Sequence, residues 1–235
     1  MGALKDLSII IPIAPKEEAW RSLLKDLRFV PSEVEIFLVG PEKPPHLEKL
    51  KSRSPLAKQI EWIQSPLSRA IQLNQGAQFT KKKFIWFLHA DSRLPKESFS
   101  ALNTALTSDP QALYYFRLVF LNDGTQFTRI NTLGVWVRSQ YLSLPFGDQG
   151  FCISKSLFDE LGGYPENTSY GEDHLFVWKV RRAGIPIRAV RGKIYTSSRK
   201  YQKNGWARTT LTHGVLTIKQ ALPEWFKLLT QKGKV

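Results

Sequence analysis

The most apolar run of the chain, Phe84-Ile85-Trp86-Phe87-Leu88, stops at His89-Ala90-Asp91, and this boundary constrains the fold more than any other feature. Five large apolar residues in succession, without polar alternation, read as a strand covered on both faces. Ser8-Ile9-Ile10-Ile11-Pro12-Ile13 has the same character and is closed by Pro12 and Pro15. Further strands are expected at Val34 to Val39 and Ile60 to Ile63, with helices at Glu17 to Leu27 and Ser68 to Phe79. The first of these helices carries Ala19, Trp20, Leu23, Leu24 and Leu27 at the spacing of one face. Strands alternating with helices imply an α/β chain with a mostly parallel central sheet flanked by helices. Ligands of such sheets bind beyond the carboxyl ends of the strands, which is where His89, Ala90 and Asp91 stand.

The second half is less regular. A strand is expected at Tyr114 to Phe120, a helix at Gln126 to Tyr141, a loop at Leu144 to Gly150 and a helix at Asp173 to Ala183. At 235 residues and 42% hydrophobic, the chain suits one domain with one substantial core. Its 34 Lys+Arg against 20 Asp+Glu give a net charge of +14, which favours anionic partners: nucleic acid, acidic lipid headgroups or phosphorylated small molecules. The excess is local, since Arg191, Lys193, Arg199, Lys200, Lys203, Arg208, Lys219, Lys227, Lys232 and Lys234 crowd the C-terminal end against a lone Glu224. Cys152, the only cysteine, excludes an intramolecular disulfide and suits a reducing compartment, so a cytoplasmic protein is expected. The N-terminal apolar run is too short for a membrane span and reads as a strand.

Five segments carry candidate chemistry, each with a plainer alternative. In an extended strand end, His89 and Asp91 point the same way and offer a metal site, a carboxylate suiting magnesium or manganese and imidazole suiting manganese. Alternatively, Asp91 caps the helix starting near Pro95 and His89 is its buried neighbour. Glu172-Asp173 either interacts with the start of its own helix or presents a carboxylate to the cleft as general base, with a pKa near working pH. Asp148-Gln149, flanked by Gly147 and Gly150, forms a sharp loop that approaches a ligand or a simple turn. Ser68-Arg69 opens a helix where N–H groups and a guanidinium meet phosphate, or Arg69 is a solvated surface residue. Arg199-Lys200, beside Tyr201, clamps a diphosphate or keeps the tail soluble.

Taken in order, Ser8 to Pro12, Ser68-Arg69-Ala70-Ile71-Gln72-Leu73-Asn74-Gln75-Gly76-Ala77, Phe87-Leu88-His89-Ala90-Asp91-Ser92-Arg93-Leu94-Pro95, Phe146-Gly147-Asp148-Gln149-Gly150, Gly162-Gly163-Tyr164-Pro165-Glu166, Glu172-Asp173 and Thr196-Ser197-Ser198-Arg199 resemble the family-2 glycosyltransferases. Within them the chain is similar to a small soluble subgroup, the arsenosugar-biosynthesis type glycosyltransferases. The resemblance spans nearly the whole chain. It implies a Rossmann-like GT-A fold that binds a nucleotide diphosphate sugar with a divalent cation, manganese or magnesium, and transfers a hexose-like sugar to an acceptor hydroxyl with inversion. It implies a single domain: a nucleotide-sugar-binding half over 1–95, an acceptor-side half over 96–200 and a basic helical tail over 201–235. By the same likeness Asp91 holds the metal, with His89 as second ligand, and Asp173 is the base with Glu172 beside it. Arg69 and Arg199 contact phosphate, Asp148 and Gln149 hold sugar hydroxyls or the acceptor, and Pro12, Asn74 and Ala90 lie on the donor side.

The chain departs from the family's pattern where the second strand runs into Gly40-Pro41-Glu42 instead of acidic nucleoside contacts, and where Lys81-Lys82-Lys83 precedes the central strand. A homologue that binds nucleotide sugar without transferring it is therefore one alternative. The charge, with Tyr201 and Trp206 among basic residues, makes a basic nucleic-acid-binding protein another, although only weak nonspecific binding is expected. At the C-terminus, Val215, Leu216, Ile218, Leu222, Trp225, Phe226, Leu228 and Leu229 occur among lysines. These residues are expected to pack on the core with the lysines in solvent; the alternative is an amphipathic helix on the inner face of an anionic membrane.

Overall fold

The computed structural model of the chain describes residues 2–121, 123, 128–168, 170–197 and 206–232. Its strands are β1 (Leu7–Pro12), β2 (Glu35–Gly40), β3 (Ile60–Gln64), β4 (Phe84–Phe87), β5 (Leu113–Phe120), β6 (Cys152–Ser154) and β7 (Ile187–Thr196). Its helices are α1 (Trp20–Asp26), α2 (Leu47–Ser52), α3 (Arg69–Phe79), α4 (Glu97–Ser108), α5 (Thr128–Tyr141), α6 (Lys155–Glu160), α7 (Glu172–Arg182) and α8 (Trp206–Lys232). The strands form one sheet in the order β3-β2-β1-β4-β6-β5-β7. All pairings are parallel except those of β6, which runs against both β4 and β5. Two reversals return β5 and β7 to the direction of β4, so six strands end at the same edge.

Both faces of the sheet are covered, which explains the unbroken apolar runs. In β1, Leu7, Ile9 and Ile11 join one core with α1 and α4, while Ile10 joins the other with α3, α6 and α7. Trp86 centres the first core, stacked on Phe116 at 5.3 Å between ring centroids and edge-on to Phe99 at 5.9 Å.

Several elements differ from the expectations. The first helix starts at Trp20 because Glu17 turns back on the chain, its Oε1 accepting from the N–H groups of Glu18 and Ala19, with Lys16 at φ 63° just before it. β6, α6 and β7 were not anticipated. β7 is an edge strand with only Val190, Ile194 and Thr196 buried, and its exposed Arg188, Arg191 and Lys193 break the apolar pattern in the way that discourages strand-to-strand aggregation. The C-terminal helix reverses its expected packing. Gln220, Ala221, Glu224 and Leu228 meet the body of the protein, while Val215, Ile218, Leu222, Trp225 and Phe226 are exposed. Among the described residues no helix is long and apolar enough to cross a membrane.

Candidate active site

The strand β4 ends at Phe87, and the chain turns over 89–92, closed by Ser92 N–H donating to the His89 carbonyl at 3.1 Å. The alternation argument for His89 and Asp91 therefore does not hold, and each takes its own partner. His89 Nε2 meets an Arg69 Nη2, and Asp91 Oδ2 accepts from the Thr196 hydroxyl at 3.1 Å. Asp91 caps no helix either: α4 is preceded by Lys96, with no side-chain cap.

Arg69 is the hub. It opens α3 beside β4, touches His89, and sets Nε 3.2 Å from Glu172 Oε1. That ion pair lacks hydrogen-bond alignment, so the buried Nε–H has no acceptor. Opposite it, Asp173 in the first turn of α7 accepts from Gly147 N–H at 2.6 Å through Oδ2 and from His174 N–H at 2.8 Å through Oδ1. Asp173 thus serves its own helix start and the site at once. Glycine at 147 leaves room for both: a Cβ there would lie 2.7 Å from Arg69 Nη2 and 2.8 Å from Asp173 Oδ2, so a side chain would displace them. Gly150 closes the 3-10 turn Gly147–Gln149 at φ 66°.

The electrostatics divide the ionisable groups. Burial and then the Arg69 cation hold His89 well below its ordinary pKa, so its imidazole is neutral. Burial alone would raise Asp173, but Arg69 and the Gly147 and His174 N–H groups outweigh it and hold the carboxyl below its usual value. This corrects the expectation of a base poised near working pH. Asp148 goes the other way: burial, with Asp173 and Asp91 nearby, pushes it up to about 6 against the pull of Arg138 and Arg69. Its Oδ1 is buried without a hydrogen-bond donor. Asp91 is raised by burial, offset in part by Thr196 and its own backbone N–H.

Two expected donor contacts are engaged elsewhere. The Asn74 amide donates to the Tyr164 carbonyl at 2.9 Å and to Glu166 at 2.7 Å and accepts from Tyr164 N–H at 2.8 Å, stapling α3 to that loop. Gln149 is 1% exposed, its Oε1 accepting from Ser139 and Phe146 N–H and its Nε2 donating to the Phe116 carbonyl. Both hold the frame: the two N–H groups of Asn74 and both lone pairs of Gln149 Oε1 are taken up within the protein. Pro12 ends β1 at the reactive edge and Ala90 lies buried in the turn beside Asp91. Arg199, Lys200 and Tyr201 lie outside the described residues. Sequence reasoning missed Thr196 as the partner of Asp91, Arg138 as the cation opposing Asp148, and Glu17 as a second charge raising Asp91; only Thr196 stood in a segment already singled out.

No protein-family model and no curated protein sequence matches the chain. Solved structures do. A mannosyltransferase, PcManGT from Pyrobaculum calidifontis in complex with GDP-Man and Mn2+, aligns over 97% of this chain and 68% of its own length, with TM-score 0.69 and 15% identity. TarS of S. aureus, residues 1–349, aligns over 82% of this chain and 60% of its own length, with TM-score 0.65 and 14% identity; the same fragment also appears in complex with UDP-GlcNAc. The chain thus spans about three fifths of the TarS fragment. The shared architecture is the GT-A fold: a mostly parallel seven-stranded sheet between helices.

Proposed function

We propose that this chain is an inverting, family-2, hexosyltransferase-like enzyme that moves a sugar from a nucleoside diphosphate sugar to the hydroxyl of a small or lipid-linked acceptor. The observation that carries this reading is the cluster of Arg69, His89 and Asp173, closed by Gly147 N–H at the carboxyl edge of the sheet. Proteins of the same fold hold UDP-GlcNAc and GDP-Man.

Arg69 Nε–H, lacking an aligned acceptor, donates to the diphosphate, and neutral His89 fixes the guanidinium. Asp148 Oδ1, equally unmet, accepts from a sugar hydroxyl. Asp173 takes the proton of the acceptor hydroxyl as that oxygen bonds to the anomeric carbon and the bond from that carbon to the diphosphate breaks, inverting configuration. Arg69 is also the strongest influence holding Asp173 low, so drawing it onto the diphosphate restores basicity when donor is bound. Asp91 suits a divalent cation, because burial raises its carboxyl and only part of that cost is offset. Among the described residues no group of three His, Cys, Asp or Glu is placed to hold a metal ion, so Asp91 would rely on water and phosphate oxygens. Asp91 would hold manganese or magnesium, and the ion would supply charge neutralisation for a diphosphate leaving group.

A panel of nucleoside diphosphate sugars read by thermal shift, with and without manganese, tests the reading. Stabilisation by one donor only in the presence of metal supports it, and no response to any member overturns it. A second reading, donor binding without transfer, is favoured by the low pKa of Asp173. Turnover of the stabilising donor with any hydroxyl acceptor excludes that reading.

A further inference from the structure

The helices α5 and α8 expose apolar side chains that the fold does not use. On α8, Leu211, Val215, Ile218, Leu222 and Trp225 recur at spacings of four and three, which is one helical face, and each is about half exposed or more. On α5, Leu133, Val137 and Tyr141 form a second stripe, 42–70% exposed, with Trp136 beside it. The stripes converge. Tyr141 and Leu142 from the α5 end and Ile218, Leu222 and Trp225 from α8 line one open groove of about 370 Å³ over Trp178. A patch of this extent on a chain with buried cores on both sides of its sheet marks an interaction surface.

Charge identifies the occupant. On its far side, α5 borders a cleft of about 300 Å³ where Trp136 stands with Arg117, Arg191 and Lys193, and no carboxylate lines it. The groove itself includes Arg181. Glu224, the only acidic residue of both helices, is buried and paired with Arg182 and Lys227. An apolar ridge bearing two tryptophans and a tyrosine, flanked by uncompensated cations, matches the layering of a bilayer surface: acyl chains, interfacial aromatics, anionic headgroups. A second copy of a +14 chain would bring cations against cations.

We propose that the α5–α8 face docks on anionic lipid bilayers, seating Val215, Ile218, Leu222, Trp225 and Tyr141 among the acyl chains and Arg117, Arg191 and Lys193 on the headgroups. The face adjoins the candidate site. Gln220 of α8 reaches the His174 ring and the Tyr170 carbonyl at the first turn of α7, where Glu172 and Asp173 stand, and α5 leads into the Gly147–Gln149 turn. Where the transfer reading holds, docking brings a lipid-linked hydroxyl to the site, but docking itself needs no transfer.

The full chain is sedimented with vesicles of phosphatidylcholine alone or mixed with phosphatidylglycerol. It should pellet with the mixed vesicles and shift its tryptophan emission to the blue. Ile218→Glu/Leu222→Glu, at exposed positions, should keep the parent's melting temperature and lose binding more than about tenfold. Arg117→Ser/Arg191→Ser/Lys193→Ser should reduce the preference for anionic vesicles roughly a hundredfold. A parent that stays in the supernatant with both vesicles overturns the proposal. So does a parent that is dimeric by light scattering and becomes monomeric in the Ile218→Glu/Leu222→Glu variant without any change in lipid binding. Neither result touches donor binding, which the thermal-shift panel reads independently.

Discussion

The two halves of the sheet are built on different terms. From β1 to β4, parallel strands alternate with helices, and in β1, β2 and β4 nearly every residue is buried, while the edge strand β3 buries only Ile60 and Ile63. From β5 to β7 one strand is three residues long and reversed, the edge strand is charged on one side, and two helices leave apolar faces outside. The first half provides Arg69, His89 and Asp91 on short, firmly anchored elements. The second provides Asp173, Asp148 and Gly147; the Gly147 N–H holds Asp173 within that half, and a Cβ on Gly147 would press on Arg69 of the first. A half that provides Arg69, His89 and Asp91 and a half that provides Asp173 and Asp148 is a division the following experiments can break.

The largest effect is expected for Asp173→Asn, which should lower kcat by about 10²–10⁴-fold while donor affinity, measured by calorimetry, stays within a few-fold. Unchanged turnover would move the chemistry out of the second half. Next, Trp86→Ala should destabilise the fold by about 3–5 kcal/mol in urea titrations, whereas Leu222→Ala should change it by roughly 0.5 kcal/mol or less. Equal losses would end the contrast between the halves.

Much of this contrast was legible beforehand. The apolar runs of β1, β2 and β4 have one physical cause, burial on both faces, and that cause writes itself into consecutive residues. The α3 helix was legible for the same reason, its Ala70, Leu73 and Ala77 facing β1 and β2. In the site, Arg69, Asp91 and Asp173 were picked out by their positions at element starts and ends. What could not be read were relations between distant residues: that Asn74 bonds to Tyr164 and Glu166 and Gln149 to Phe116 and Ser139, that His89 meets Arg69, and that Arg69 depresses Asp173. The strand β7 escaped because an edge strand presents one covered face, and its arginines conceal the alternation. The tail pattern was read as amphipathic, but which side faces inward is decided by Gln220 and Glu224, whose partners lie about forty to fifty positions away.

Two smaller effects sharpen the picture. Gly147→Ala should leave the melting temperature nearly unchanged and reduce kcat/KM by about 10²-fold, because the added methyl displaces Arg69 and Asp173 by the order of an ångström. Asp148→Asn tests the raised carboxyl. Folding lifts the pKa of Asp148 from near 4 to about 6, so the ionised form is disfavoured in the folded state and stability is lost as pH rises through that interval. The variant should therefore be more stable than the parent above about pH 6, by at most about 3 kcal/mol, and indistinguishable below about pH 4. Thermal melts across pH measure this, and a difference independent of pH would remove Asp148 from the set of buried titrating groups.

The reversed strand β6 bears on how such a protein can diverge. Loops that follow β1, β2 and β4 leave the reactive edge freely, so insertions there can enlarge or reshape a pocket one loop at a time. The segment from Phe146 to Phe151 instead enters the sheet from that edge, tied by Phe87 N–H donating to the Phe151 carbonyl at one end and by Asp173 at the other. A single inserted residue would move Gly147, Asp148 and Gln149 together. Under the proposed transfer reading, substrate range is free to drift around the rim, while this one stretch must keep its length.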